Sequence, residues 1–434
     1  MRSGVPFCMI RNRKQTMAES HTHVLPLQEA IRAVEQHAVK LQPTKSELVD
    51  LLQSGGRILA EPIAADRDFP PFRRVARDGY ALRAADAQKI PAKLKITGEI
   101  RAGASPESAA QPLREGEAIA IMTGAPAPRG ADAVIMVEHT AREGDRVELH
   151  RTVSAGENIV PTGAEARAGE VLLQAGTRLT PAAIGVAGSV GCKQVRVYAC
   201  PRVAVLSTGD EVVDVAAQPG PTQIRNSNSY SLAAQIQIAG GDPVLLPIAP
   251  DEPARLKRLI HRGLASDLLL LSGGVSMGKY DLVEQILQEL KAEFFFTGAL
   301  IQPGRPVVFG RVPQATVGTG RANVYFLGLP GNPVSTMVTF ELFARPLLDA
   351  LSGAPPRKLQ FVKLPLKSEI RTKKGLTRFL PALLSGEFDQ VEVERVPWQG
   401  SGDIAAAARA NCFVVVPPDR EHIPAGEMIS VLLR

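Results

Sequence analysis

Three glycine-rich turns between Ser272 and Ser335 constrain the fold of this chain more than any other feature. They read Ser272-Gly273-Gly274-Val275-Ser276-Met277-Gly278, Gln302-Pro303-Gly304-Arg305-Pro306 and Leu329-Pro330-Gly331-Asn332-Pro333-Val334-Ser335. The first and third each follow a short apolar run, Asp267 to Leu271 and Asn323 to Leu329, and each leads into a helical pattern. Strand, turn and helix in that order build an open parallel sheet, whose ligands bind outside the carboxyl ends of the strands. Glycine lets a ligand approach the backbone closely, and free N–H groups at a helix start attract anions. The expectation is a site for a small, highly charged anionic ligand.

The surrounding pattern supports an α/β region over 197–352. Strands fit Val203 to Leu206, Val244 to Ile248, Leu268 to Leu271 and Val324 to Leu327. Helices fit Ser229 to Ile238, Glu252 to Leu264, Leu282 to Leu290 and Val334 to Leu351, with Ser229 and Asp281 as N-cap candidates. This alternation predicts a doubly wound, mostly parallel sheet. Upstream, Leu27, Ile31, Val34 and Ala38 recur at helical spacing, and Leu48, Leu51 and Leu52 follow Ser46, so 26–59 reads as helical. Asp66 to Phe72 reads as a crossing linker. Short apolar runs such as Leu94 to Ile96, Ala118 to Met122 and Ala133 to Val137 predict a β-rich second domain over 67–160. Residues 24–66 and 161–196 together are expected to form an extended α+β N-terminal domain. Residues 353–434 predict a small C-terminal β-barrel, and 1–23 a disordered extension, with Met17 as an alternative start.

Composition narrows the function. At 434 residues, with 45% hydrophobic and 22% charged, the chain predicts several soluble domains. No apolar run approaches the ~20 residues that span a bilayer, so no membrane partner is expected. The stretch Val5 to Ile10 is short and broken by Pro6, which argues against a signal peptide. None of Cys8, Cys192, Cys200 and Cys412 sits at zinc-ligand or Cys-x-x-Cys spacing, so reduced thiols in the cytoplasm are expected. The net charge of +6 suits a polyanion. With 5% aromatic residues and no basic run interleaved with them, a small polyanion fits better than nucleic acid.

Several motifs carry chemistry. Thr208-Gly209-Asp210-Glu211 places adjacent carboxylates at a strand end, a magnesium site or a solvated turn. Asp251 follows the next strand and belongs to the same edge of a parallel sheet. Asn226, Ser227, Asn228 and Ser229 cap a helix or bond a ligand. Gly273-x-x-x-x-Gly278-Lys279 falls short of a nucleoside-triphosphatase loop because Tyr280 stands where Ser or Thr is required. A glycine nest for another phosphate remains, built on Ser272, Gly273 and Gly274, with Asp281 opening the next helix as its cap, a metal ligand or a base. Arg305, held between Gly304 and Pro306, suits a tetrahedral oxyanion or is a surface arginine. Pro330, Gly331, Asn332 and Pro333 form a second pocket with the N–H groups behind Ser335. Arg77-Asp78-Gly79-Tyr80 and Met122-Thr123-Gly124 read simply as turns, and the histidines show no catalytic pairing.

Together these segments resemble the molybdopterin molybdenumtransferase family, MoeA and the E domain of gephyrin-type proteins. The resemblance covers nearly the whole chain after about Val24. It is carried by Asp78 to Ala81, Met122 to Pro126, Gly130 to Val134, Ser207 to Glu211, Ser272 to Gly278 with Asp281, Pro303 to Pro306, Leu329 to Ser335, and Gly400 to Ile404 with Ala410-Asn411. It implies a molybdopterin-binding α/β domain and insertion of molybdate into adenylylated molybdopterin, with Mg2+-dependent release of AMP. It also implies a homodimer in which Asp78 and Thr123 reach the α/β domain of the partner subunit. Asp210, Glu211, Asp251 and Asp281 would then line the metal and phosphate side, with Asp78, Thr123, Asp210, Glu211 and Asp281 catalytic. Ser276, Arg305 and Ser335 would face the oxyanion, and the glycine turns would hold pterin and adenylate. The adenylyltransferase and molybdoenzyme maturation factors would be partners. Gln302 and Arg305 depart from the family's Lys-Pro-Gly-Lys-Pro, Val75-Ala76-Arg77 from its Ser-Ala-Met, and Asn158 from its Gly-Glu-Asp. Two other readings are an adenylyltransferase, which the α/β region alone resembles, and a gephyrin-like binding scaffold.

Overall fold

A computed structural model describes residues 23–43, 45–274, 282–313, 323–355 and 358–433. They divide into two compact units, one holding the chain up to Thr44 with Ala199–Arg434 and the other Lys45–Tyr198.

In the first unit, helix α1 (Leu27–Ala38) buries Leu27, Ala30, Val34 and Ala38 along one face. That face joins the core formed by the Ala199–Arg434 part of the unit. Helical spacing reveals the buried face of this helix but not the surface that covers it.

The central sheet holds β1 (Arg202–Ser207), β2 (Asp242–Leu245), β3 (Leu268–Ser272), β4 (Glu293–Phe296), β5 (Val308–Pro313) and β6 (Asn323–Leu329). Their spatial order is β2-β1-β3-β6-β5-β4. β2, β1, β3 and β6 run parallel, and β5 and β4 add an antiparallel edge that the apolar pattern did not anticipate. The helices are α2 (Ser227–Ala239), α3 (Pro253–Gly263), α4 (Leu282–Glu289), α5 (Pro333–Thr339) and α6 (Arg345–Leu351), the last two joined by a π-helical turn, Phe340–Ala344. Alternate residues of each strand feed opposite cores. Leu268 and Leu270 pack toward α1, α2 and α6, while Leu269 and Leu271 pack toward α3 and α4. Burial on both faces explains why these strands read as unbroken apolar runs.

The chain places β2 on one side of β1, then returns to place β3 on the other. β1 and β3 therefore flank a topological switch point, where the connecting helices leave to opposite faces and open a crevice. In-register pairing of Ser207 with Ser272, and of Ser272 with Leu329, brings three strand ends level.

Two local readings are corrected. α2 is capped by Asn226, whose side chain accepts the Ser229 N–H, so Ser229 lies inside the first turn. Asp281, the other cap candidate, lies outside the described residues. Ser46–Asp50 is a strand paired with Gln194–Tyr198, followed by only a 3-10 turn, because a cross-strand partner outweighs the local helical spacing.

The C-terminal part of the same unit is a six-stranded sheet that includes Phe361–Pro365, Thr377–Ser385, Cys412–Val416 and Met428–Leu433. A bridge between Leu366 and Val393 joins its two ends and closes it on itself. The second unit contains a six-stranded sheet spanning Gly79–Leu149, with one apolar core around Leu82, Ile135 and Leu149 and another around Ile119, Ile121 and Val134.

Candidate functional site

The crevice at the switch point is a cavity of about 400 Å³. Its walls include Ser207 and Thr208 from the end of β1, Asn226, Ser227 and Asn228 from the start of α2, and Ser272, Gly273 and Gly274 from the end of β3. Pro330, Gly331, Asn332 and Pro333 line it behind β6, and Glu211 and Pro306 line it as well. The size falls within the usual range for small-ligand sites.

Each wall is fixed by short polar contacts. Gly273 and Gly274 adopt φ of +89° and +64°, which favour glycine. They wrap around Thr208, so a Cβ on Gly274 would lie 2.7 Å from Thr208 Oγ1. Thr208 N–H donates to the Ser272 carbonyl at 3.1 Å, and Gly273 N–H to that of Leu329 at 3.2 Å. Ser207 Oγ donates to Asn226 Oδ1 at 3.1 Å and lies 2.9 Å from Ser229 Oγ. Asn228 Nδ2 donates to Ser272 Oγ at 2.9 Å and to the Gly331 carbonyl at 2.7 Å. Thr336 Oγ1 donates to the carbonyls of Pro330 and Asn332, holding the turn that starts α5. Two buried side-chain oxygens in this wall, Thr208 Oγ1 and Asn228 Oδ1, have no hydrogen-bond partner among the described residues.

Three carboxylates gather beside the cavity. Asp251 N–H donates to Asp210 Oδ1 at 3.1 Å, and Glu211 lines the cavity. Burial first, then the charges of Asp210 and Glu211, raise the Asp251 carboxyl above its ordinary range. Among the described residues, no three His, Cys, Asp or Glu side chains stand close enough to hold a metal ion by themselves. Magnesium does not need such a cage, since one or two carboxylates plus substrate phosphates and waters commonly suffice. The carboxylates of Asp210, Glu211 and Asp251 are donors of the kind a hard cation takes.

The other sequence-derived residues fall in different places. Ser335 is 3% exposed, and its carbonyl accepts the Thr339 hydroxyl. Gly304, at φ +109°, packs against Thr339 and Ile301. Arg305 is exposed and forms no ion pair among the described residues, while its neighbour Pro306 reaches the cavity. Ser276 and Asp281 lie outside the described residues. In the second unit, Asp78 Oδ1 accepts the Thr123 N–H at 2.6 Å and the Thr123 hydroxyl at 2.8 Å. These bonds, the backbone one first, hold the Asp78 carboxyl below its usual range. Ser207, Thr208 and Pro306 were not singled out from sequence as site residues. Ser207 carried a readable signal, because it ends one buried strand as Ser272 ends its neighbour.

Comparisons with known proteins cover the same regions. A family model described as the MoeA N-terminal region (domain I and II) matches residues 25–191. A probable molybdopterin binding domain matches 204–350, and the MoeA C-terminal region (domain IV) matches 363–433. The chain is 37% identical to a molybdopterin molybdenumtransferase of Nostoc sp., over 89% of this chain and 88% of the relative. It is 34% identical to one of Haemophilus influenzae, over 90% and 94%. The crystal structure of the molybdopterin biosynthesis moeA protein from Pyrococcus horikoshii OT3 superposes with a TM-score of 0.73 at 28% identity, covering 95% of this chain and all of that one.

Proposed function

Because the chain belongs to the molybdopterin molybdenumtransferase (MoeA) family, and so to the enzymes of molybdenum cofactor biosynthesis, we propose that its strand-end cleft binds adenylylated molybdopterin, takes up molybdate and releases AMP. The observation that carries this reading is the convergence of Ser272–Gly274, Asn226–Asn228 and Pro330–Pro333 on one cavity at the switch point of the sheet. Small residues there let a planar ring system and phosphates approach the backbone, and the hydroxyl and amide groups supply donors.

Glu211 and Asp210 are the proposed magnesium ligands, with Asp251 beside them and Asp281 as a further candidate. Magnesium, when bound, offsets charge on the phosphoanhydride while AMP departs. The proposed oxyanion groups are Arg305, Ser276 and Ser335. Asp78 keeps one carboxylate oxygen beyond its bonds to Thr123, and we assign this pair to the cleft of a second copy in a homodimer. The proposed location is the cytoplasm, supported by Cys192 and Cys200, which form no disulfide among the described residues. No helix among the described residues is long and apolar enough to cross a membrane.

The adenylyltransferase reading is disfavoured, because family-model matches flank the α/β region on both sides. The test is AMP release from adenylylated molybdopterin as molybdate is titrated, with tungstate as competitor. Saturable dependence on molybdate is expected; release that ignores molybdate overturns the proposal.

A further inference from the structure

Asn228 lines the cleft and spends the NH2 of its amide on the protein, while its Oδ1 has no partner among the described residues. Both Nδ2 hydrogens are used, one on Ser272 Oγ at the end of β3 and one on the Gly331 carbonyl behind β6. The orientation of this amide follows from chemistry. A backbone carbonyl only accepts, so the group facing Gly331 is the NH2. The same logic sets Ser272. Its oxygen receives a hydrogen from Asn228, so its own hydrogen is left to donate, and Ser272 forms part of the cavity wall at 3% exposure.

We propose that Asn228 is a positioning residue. It ties the turns after β3 and β6 to the start of α2, and it fixes the Ser272 hydroxyl as a hydrogen-bond donor toward an acceptor atom of the bound nucleotide. This rests on the reading of the cleft given above, and it adds a clamp to the ligand contact proposed for Asn228. The clamp spans three chain segments far apart in sequence, since Asn228 lies 44 residues from Ser272 and 103 from Gly331. Gly331 also sits close to Gly273, where an added Cβ would lie 3.7 Å from the Gly273 Cα, so the two turns lie against each other.

The test uses full-length Asn228→Ala, Ser272→Ala, the double variant and Asn228→Asp, with folding checked by circular dichroism. AMP release should fall about tenfold or more in kcat/KM for each alanine variant. The double variant should lose less than the product of the two single losses, because each single variant already loses the positioned Ser272 donor. Multiplicative losses would overturn the coupling. In Asn228→Asp the new carboxylate faces a carbonyl and draws the Ser272 hydroxyl to itself. Its activity relative to wild type should be lowest at alkaline pH and rise as the carboxyl gains a proton to donate. A ratio flat with pH would overturn the assignment. Hydrogen exchange over 272–274 and 329–333 reads the clamp without turnover. Faster exchange in Asn228→Ala supports it, even where the wild type releases no AMP and the functional reading fails; unchanged exchange overturns it.

Discussion

Two sets of carboxylates occupy loop positions in this protein, and their surroundings push them in opposite directions. In the first unit Asp251 sits with Asp210 and Glu211, and burial and like charge raise its carboxyl. In the second unit Asp78 receives two hydrogen bonds from Thr123 on one oxygen, which lower it. A carboxylate already served by neutral donors gains little from a cation. A crowded set of carboxylates gains a great deal. The difference teaches that the charge deficit of the site lies in the first unit, while Asp78 is a pre-ordered group whose geometry is set before any ligand arrives.

The largest expected contrast is between two glycines. Gly274→Ala puts a Cβ at φ +64° and 2.7 Å from Thr208 Oγ1, whereas Gly124→Ala, beside Thr123, puts one at φ +84° with only a 3.6 Å contact to Ala102. Backbone strain costs about 1 kcal/mol at each, and overpacking adds about 1–3 kcal/mol at Gly274 alone. Urea melts should show the larger midpoint loss for Gly274→Ala, and AMP release should fall roughly 100-fold there against a few-fold for Gly124→Ala. Equal losses would break the comparison.

The acids follow, with opposite signs. The carboxyl of Asp251 has a raised native pKa, so its contribution to stability is present below the ordinary value of 3.8 and lost as pH rises through the raised value. Without magnesium, Asp251→Asn should therefore stabilise the protein at pH 7 and lose that advantage in acid. Magnesium should raise the melting temperature of wild type more than that of the variant. Asp78 has a lowered native pKa, so its contribution is present above 3.8 and lost as pH falls through the lowered value. Asp78→Asn should be less stable than wild type at pH 7, and the two should converge in acid. Thermal melts across pH check both signs.

The smallest effect sharpens the same contrast. Thr123→Ala removes the hydroxyl bond and keeps the stronger backbone one, so the Asp78 carboxyl should return only part of the way to its ordinary range. An NMR titration of Asp78 measures this; a full return would show that the backbone bond contributes nothing.

Much of this arrangement was legible in the sequence. Ser272–Gly274 and Pro330–Pro333 were readable because strand, turn and helix follow one another locally, and parallel pairing then forces such turns to one edge. Other features depend on partners distant in sequence. The buried face of Leu27–Ala38 is periodic, but nothing local points to the core of the 199–434 part of the chain. Ser46–Asp50 sits in a stretch with helical spacing, and only its pairing with Gln194–Tyr198 makes it a strand. The bond from the Thr123 N–H to Asp78 spans 45 residues, and neither turn alone announces it. Asn228 was readable as polar, yet its role as a clamp depends on two acceptors brought in by β3 and β6.

The most direct measurement is a crystal structure of the protein soaked with AMP, magnesium and molybdate. The account predicts nucleotide density against Ser272–Gly274 and Pro330–Pro333, with a metal ion on the Glu211 and Asp210 side. Nucleotide bound on any other surface, with this cavity left to solvent, would contradict it.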